Sequence, residues 1–153
     1  MDGTAEMDFR IIIDTREQEP YEFECATQRR KLDAGDYSVQ GLEELVAVER
    51  KSLKDFTGTV IHDFTRFAAE LQKLSKLDAA CVVVEADLDD VLRGLAGGAC
   101  GNVAPASLLG AAVHISLHYG VPVYWCGSRQ AARAFTDAFL RMFARLRAEG
   151  GRP

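Results

Sequence analysis

Several features that mark other classes of protein are missing from this sequence of 153 residues. It has no apolar run approaching the roughly 18 residues that a membrane-spanning helix needs. None of its four cysteines forms a CxxC pair, so we expect reduced core thiols rather than disulfides or a zinc site. Its first eight residues contain three acids and no base, which a secretory signal peptide would not. We therefore expect a cytoplasmic protein.

The chain also lacks the excess of positive charge that is typical of proteins that coat nucleic acid nonspecifically. Its formal net charge is −5, from 18 Lys and Arg residues against 23 Asp and Glu residues. This balance does not exclude an enzyme that acts on DNA, because metal-binding carboxylates would themselves add negative charge.

The periodicity of apolar residues predicts one α/β domain over residues 9–148, between flexible ends at 1–8 and 149–153. We expect a strand at 9–13, an antiparallel meander of strands at 29–32, 36–39 and 45–51, and buried strands at 80–85 and 121–125. Residues 18–28 are expected to form a loop. Helices are expected at 53–57, 62–76, 87–92, 105–118 and 128–148, with a glycine-rich break at 94–102. This order predicts a mixed sheet between two helical layers.

Two acids and a lysine stand out as candidates for catalysis. Gly35-Asp36 is followed thirteen residues later by Glu49-Arg50-Lys51. Because side chains alternate along a strand, Glu49 and Lys51 face the same side. Two carboxylates can hold Mg²⁺, and an ammonium group can offset charge on a phosphate. The spacing alone equally allows an exposed strand face with an ordinary salt bridge.

A second group of polar residues follows the first predicted strand. Asp14 and Glu17 come where the chain leaves that strand, which is where functional residues of an open sheet gather. Arg16 lies between them and is suited to bidentate contact with a DNA phosphate.

Taken together, these motifs resemble the nuclease domain of the XPF/Hef structure-specific endonucleases. The matching segments are IIDTRE at 12–17, GDY at 35–37, VERKS at 48–52 with Asp55, and TRFAAEL at 65–71. The family signature is Gly-Asp, a gap, Glu-Arg-Lys, three residues and Asp. The resemblance extends over about residues 9–148, and beyond residue 77 it is one of element order alone.

The resemblance implies a restriction-endonuclease-like α/β fold of three layers, αβα, around a central mixed sheet. It implies Mg²⁺ or Mn²⁺ bound by Asp36 and Glu49, with Asp14 as a further candidate ligand. It casts Lys51 as the catalytic base or electrostatic helper. The other residues that would complete the site or contact DNA are Glu17, Arg16, Arg50, Asp55 and Arg66.

Members of the family cut flaps, forks and related branched DNA and work as dimers through their nuclease domains. Most also carry a tandem helix-hairpin-helix module after the nuclease domain, whereas this sequence ends at Pro153. The resemblance thus implies a homodimer or heterodimer, and either a separate DNA-binding partner, a stand-alone nuclease or a fragment. It implies a nucleoid-associated location, or a nuclear one in a eukaryote.

The sequence favours three alternatives to this interpretation less strongly. An inert DNA-binding or scaffold subunit would keep the fold, but such proteins usually lose the Gly-Asp or Glu-Arg-Lys residues. A nucleotide-binding domain is disfavoured because no Lys-Ser or Lys-Thr follows the glycines at 94–101. His114 and His118 have a spacing that zinc could use, but we expect partly buried helix residues instead.

Two features of the predicted last helix bear on partners. Arg133, Asp137 and Arg141 are four apart and can pair in succession on a solvated face, although a role in tracking phosphates is an alternative. The apolar side of this helix, with residues 94–102, is a candidate dimer patch. Its inward positions are expected to be Ala132, Phe135, Phe139, Met142 or Phe143, and Leu146.

Overall fold

The computed structural model describes residues 8–94 and 103–150, which form six strands and five helices. The strands are β1 (Arg10–Ile13), β2 (Ala26–Arg29), β3 (Tyr37–Val39), β4 (Val46–Lys51), β5 (Ala79–Val84) and β6 (Val123–Trp125). The helices are α1 (Leu53–His62), α2 (Phe64–Ser75), α3 (Leu88–Leu92), α4 (Pro105–Tyr119) and α5 (Arg129–Ala148).

The six strands form one mixed sheet in the order β2-β1-β3-β4-β5-β6. β3 runs antiparallel to both of its neighbours, and β4, β5 and β6 run parallel to one another. One end of the sheet therefore holds the beginning of β3 together with the carboxyl ends of β1, β4, β5 and β6. Residues that follow β1, precede β3 or end β4 are brought together there.

Helices cover both faces of the sheet, as three layers require. One face packs against α1, α2, α3 and α4, through buried residues that include Phe56, Leu71, Val91 and Ile115. The other face packs against α5, where Leu140 and Phe143 join Val46, Val48 and Val83 of the sheet. Alternation along β4 assigns Ala47 to the first core and Val48 to the second. The predicted arrangement of a mixed sheet between two helical layers is confirmed.

The predicted antiparallel meander is wrong at its first strand. Residues 29–32 were expected to pair within the meander, but β2 lies at Ala26–Arg29, so its first three residues fall in the expected loop, and it pairs parallel with β1. Its sequence, Ala-Thr-Gln-Arg, is mostly exposed and has no apolar alternation to indicate a strand. The two later strands of the meander, β3 and β4, are antiparallel neighbours as expected.

The boundary between the first two helices also differs from the prediction. α1 continues to His62 rather than ending near residue 57, and Asp63 separates it from α2 with non-helical backbone angles. Ser52 caps α1, because its hydroxyl accepts the N–H of Asp55 at 3.1 Å. Ile61 belongs to α1 and is 50% exposed.

The last two elements, β6 and α5, bury fewer of their apolar side chains than predicted. α5 buries Ala132, Thr136, Leu140 and Phe143, while Met142 is exposed. Phe135 and Phe139 pack only partly against the core. β6 was expected to be buried, but as the edge strand it pairs only with β5 and leaves Tyr124 exposed.

Cys25, Cys81 and Cys126 are free thiols; Cys81 is fully buried, whereas Cys25 and Cys126 are partly buried against the same core. No helix in the described part of the chain combines the length and apolar character needed to cross a membrane. The predictions for residues 1–7, 95–102 and 151–153, including Cys100 and nearly all of the glycine-rich break, lie outside the described residues.

Candidate active site

Asp36 is brought to the sheet by a turn at Gly35 whose backbone packs tightly against β4. Gly35 has φ of +79°, a region that favours glycine. A Cβ atom at this position would lie 2.8 Å from the Cβ of Ala47 and 3.3 Å from the carbonyl oxygen of Val48. The next residue, Asp36, donates its N–H to Val48 at 2.9 Å, and its carbonyl accepts the N–H of Asp14 at 2.8 Å. Asp36 is thereby fixed between β1 and β4.

Glu49 and Lys51 reach the same place from β4. They share one face of the strand, as predicted, and the intervening Arg50 points to the opposite face. Glu49 is only 8% exposed, whereas Lys51 is half-buried. Both line a cavity of about 400 Å³ between this end of the sheet and α2, together with Asp14, Gly35 and Asp36.

The carboxyl groups of Asp36 and Glu49 line the same cavity, and the charge of each acts on the other. Burial raises the pKa of Asp36 to about 6, although the N–H of Arg50 that donates to it at 2.7 Å opposes this shift. Burial and then the charge of Asp36 raise the pKa of Glu49 well above its ordinary value. Two carboxylates held together in this way repel each other unless a proton or a cation lies between them.

This pair fits a divalent cation by the chemistry of its oxygen atoms. Within residues 8–94 and 103–150, neither Asp36 nor Glu49 takes part in a salt bridge. The same residues contain no group of three His, Cys, Asp or Glu side chains arranged as metal ligands. Two carboxylate ligands still suit Mg²⁺, because that ion prefers hard oxygen atoms and keeps several waters.

Asp14, named from the sequence as a third ligand, lines the cavity but is not grouped with the pair. Its Oδ1 accepts the N–H of Leu32 at 2.8 Å, and its Oδ2 accepts Nε of Arg16 at 2.8 Å. Arg16 also donates to the carbonyl of Leu32 at 3.0 Å, and its side chain stays 60% exposed. Asp14 therefore orients Arg16 at the mouth of the cavity.

Lys51 is held over the cavity by two contacts. Its ammonium group donates to Oγ1 of Thr59 at 3.3 Å and lies 4.7 Å from the centre of the Phe67 ring. Neither contact neutralises its charge, so the ammonium group remains available to an anion in the cavity.

Arg50 and Glu17 lie on the face of the sheet opposite to the cavity. The guanidinium of Arg50 pairs with Glu17 at 3.0 Å and with Glu85 at 3.1 Å, and all three side chains are less than 10% exposed. Burial alone would raise the pKa of Glu17, but the hydrogen bonds from Arg50 hold it below its ordinary value. Glu17 is not among the residues that line the cavity.

The family model of the ERCC4 domain matches residues 13–139, which include every element of this site. The chain belongs to the ERCC4 domain family. The resemblance to an XPF-type nuclease domain and the restriction-endonuclease-like α/β fold are thereby confirmed.

Solved structures of XPF from Aeropyrum pernix share the fold of this ERCC4 domain. One has a TM-score of 0.67 at 21% identity, over 87% of this chain and 60% of that chain. Another, a complex with DNA, has a TM-score of 0.69 at 20% identity, over 90% of this chain and 66% of that chain. The chain thus spans less than two thirds of the length of these structures. A comparison with curated proteins finds no significant match.

The four residues proposed from the sequence to contact DNA do not all lie at the cavity of the ERCC4 domain. Arg16 and Arg66 line the cavity, and the side chain of Arg66 is 85% exposed beside Asp63. Asp55 is exposed in the first turn of α1. Arg50 was expected to contact DNA, but its buried ion pairs remove its side chain from such a role. Arg50 instead forms structural ion pairs, with Glu17 and Glu85 as its partners.

Two residues that contribute to the site were missed from the sequence. Glu70 lines the cavity and accepts the N–H of Gly35 at 2.8 Å, which ties α2 to the turn before Asp36. Glu70 stood inside the TRFAAEL segment, so that segment was the available signal. Glu85 follows a buried apolar strand, and nothing in the sequence around it indicates its partner, Arg50, 35 residues away.

The histidines and the arginine series differ in part from expectation. His114 and His118 stack with ring centres 5.1 Å apart, but both are exposed rather than partly buried. Arg141 pairs with Asp137 at 3.3 Å, as predicted. Arg133 instead lines a shallow groove with Tyr21 and Arg129.

Proposed function

We propose that this ERCC4 domain is a divalent-metal-dependent endonuclease that hydrolyses phosphodiester bonds in DNA. The observation that carries the proposal is the pair of carboxyl groups at the cavity, Asp36 half-buried and Glu49 buried, which lacks a salt-bridge partner in the described part of the chain. Nothing in the fold needs two such acids side by side, since burying them costs stability. Holding a cation is the function that accounts for them.

Asp36 and Glu49 would hold the ion, which is Mg²⁺ or Mn²⁺ in this proposal. When bound, the ion supplies polarisation of the scissile phosphate and a lowered pKa for a coordinated water. Lys51 places a positive charge where charge builds up on the phosphate oxygens, in a partly desolvated cavity where such stabilisation is strongest. Arg16 and Arg66, at the mouth of the cavity, bind neighbouring phosphates.

The substrate we propose is branched, flap, fork or single-strand-containing DNA, cut in the course of repair or recombination. The fold shared with XPF, one structure of which is a complex with DNA, supports this proposal. We also propose a homodimer or heterodimer through this domain. A nucleoid-associated or nuclear location follows from the same proposal.

End-labelled duplex, single-stranded, flap and fork DNA, incubated with Mg²⁺ or Mn²⁺, tests this proposal. We expect the wild type to cut the branched forms, and Asp36→Ala and Lys51→Ala to lose cutting. Lys76→Ala is a matched control, because Lys76 is exposed at the end of α2 and does not line the cavity. DNA binding without cutting would support the alternative of an inert scaffold subunit, and equal cutting by all variants would indicate a contaminating nuclease.

A further inference from the structure

The two carboxylates of the site are each followed by a residue that crosses to the opposite face of the sheet. Tyr37 follows Asp36, and Arg50 follows Glu49. Both are held there by the same short segment, residues 17–21. Tyr21 donates its N–H to the hydroxyl of Tyr37 at 2.8 Å, and the two rings stack with centres 5.2 Å apart. Glu17, from the other end of the segment, binds Arg50 at 3.0 Å.

Glu85 joins these contacts into one network. Its Oε1 binds the guanidinium of Arg50 at 3.1 Å, and its Oε2 accepts the hydroxyl of Tyr21 at 2.6 Å. Arg129 of α5 lies 3.6 Å from Oε2 of Glu85 and donates to the carbonyl oxygens of Glu19 and Pro20, at 2.7 and 3.2 Å. Glu85 thus connects β4, α5 and the segment at 17–21.

The network reaches the cavity through the backbone of Arg50. That N–H donates to Oδ2 of Asp36 at 2.7 Å, so the residue that Glu85 anchors also fixes the orientation of one carboxylate. The side chain of Glu85 is 8% exposed and does not line the cavity. The side chain of Glu85 therefore acts on the site through its partners Arg50 and Tyr21, while its backbone N–H separately donates to the carbonyl of Lys51 at 2.9 Å.

We propose that Glu85 is a positioning residue, which sets the geometry of the Asp36–Glu49 pair, and hence its affinity for a divalent cation, from the opposite face of the sheet. This inference rests on the proposed function, because it assumes that the pair binds a cation. Groups that orient metal ligands through a hydrogen bond change affinity about 10- to 100-fold when they are removed. Glu85 contacts Arg50 and not the ligand itself, so we expect an effect near the lower end of that range.

Calorimetric titration of the intact protein with Mn²⁺ at pH 8 tests the proposal. Glu85→Gln keeps the shape of the side chain and removes its charge, and we expect it to weaken Mn²⁺ binding about 10-fold. Tyr21→Phe removes a single oxygen atom and should weaken binding by a smaller factor, about 3-fold. Arg147→Gln is the control, since it breaks an exposed pair with Asp78 at 3.2 Å, and its affinity should not change.

A second measurement separates positioning from a merely structural role. We expect the cleavage rate of Glu85→Gln to be low at limiting Mn²⁺ and to recover at saturating Mn²⁺, with an unchanged KM for DNA. Unchanged Mn²⁺ affinity in both Glu85→Gln and Tyr21→Phe would overturn the inference while leaving the proposed function in place. If Glu85→Gln does not fold, the affinity of Tyr21→Phe decides alone. Absence of Mn²⁺ binding by the wild type would overturn both.

Discussion

Arg50 donates its backbone N–H to the carboxylate of Asp36 at 2.7 Å while its own side chain lies on the other face of the sheet. One residue therefore serves both sides of β4. Its backbone orients an acid of the cavity, and its guanidinium neutralises two buried acids below. The arrangement explains why the Glu-Arg-Lys sequence places an arginine between two residues of the cavity.

Loss of the Arg50 side chain should destabilise the domain strongly. Arg50→Gln leaves Glu17 and Glu85 buried without a guanidinium between them, which costs about 3 to 5 kcal/mol. Arg93→Gln removes an exposed pair with Asp89 in which both side chains are about two-thirds exposed, so we expect a change within about 0.5 kcal/mol. Unfolding by urea, followed by circular dichroism, measures both. Equal midpoints for the two variants would show that the buried network contributes no stability.

Gly35→Ala should also destabilise the domain, because the added Cβ meets two obstacles. The backbone φ of +79° is strained for alanine, and the new Cβ lies 2.8 Å from the Cβ of Ala47. We expect a loss of about 2 to 4 kcal/mol from strain and overpacking together.

Gly41→Ala provides a matched control for this prediction. Gly41 has a similar φ of +87° but no atom within 4 Å of the added Cβ. It should lose only the backbone part, about 1 kcal/mol. If the two alanine variants melt at the same temperature, the close approach at Gly35 has no energetic consequence.

The acidic pair should make the stability of the metal-free protein fall as the pH rises. Because the pKa of Asp36 is raised from 3.8 to about 6, the folded state holds a proton that the unfolded chain releases at lower pH. The free energy of unfolding therefore decreases between about pH 4 and pH 6, by about 2 to 3 kcal/mol, and stays low above that range.

Urea unfolding of the wild type and Asp36→Asn at several pH values isolates this effect from the other titrating groups. The advantage of Asp36→Asn over the wild type should grow from pH 4 to pH 6 and then level off. Saturating Mn²⁺ should remove the advantage, since the cation takes the place of the proton. A difference between the two proteins that does not vary with pH contradicts the raised pKa.

Lys51 should contribute to the rate and not to cation binding. Lys51→Met keeps much of the stem that packs near Phe67 but removes the charge. We expect kcat for DNA cleavage to fall about 100-fold, as when one stabilising donor is removed from a transition state. Mn²⁺ affinity should stay the same or increase, because a positive charge beside the pair is lost. Weaker Mn²⁺ binding by Lys51→Met would show that Lys51 supports the ligands instead.

The order of most elements and the cavity residues of β4, Glu49 and Lys51, were predictable from the sequence, because both depend on local periodicity. Alternation along β4 placed Glu49 and Lys51 on one face, and that placement held. β2 was not predictable in the same way, since its exposed Ala-Thr-Gln-Arg sequence has no apolar pattern and its pairing with β1 depends on the rest of the sheet.

The network beneath the site was hidden from the sequence for a different reason. Tyr21 and Glu85 are 64 positions apart, and each looks unremarkable locally, one in a loop and the other after an apolar strand. Only the parallel register of β4 on β5 brings Glu85 to Arg50. Tertiary ion pairs of this kind carry no local signal, whereas the motif of the family marks only the residues within it.

Titration with Mn²⁺, followed by electron paramagnetic resonance, measures whether Asp36 and Glu49 share one divalent cation. Asp36→Asn and Glu49→Gln are compared with the wild type and with Asp78→Asn, an exposed acid at the other end of β5. We expect one Mn²⁺ site that is retained in Asp78→Asn and lost in each of the other two variants. Retention of full Mn²⁺ affinity by Asp36→Asn or by Glu49→Gln would contradict it.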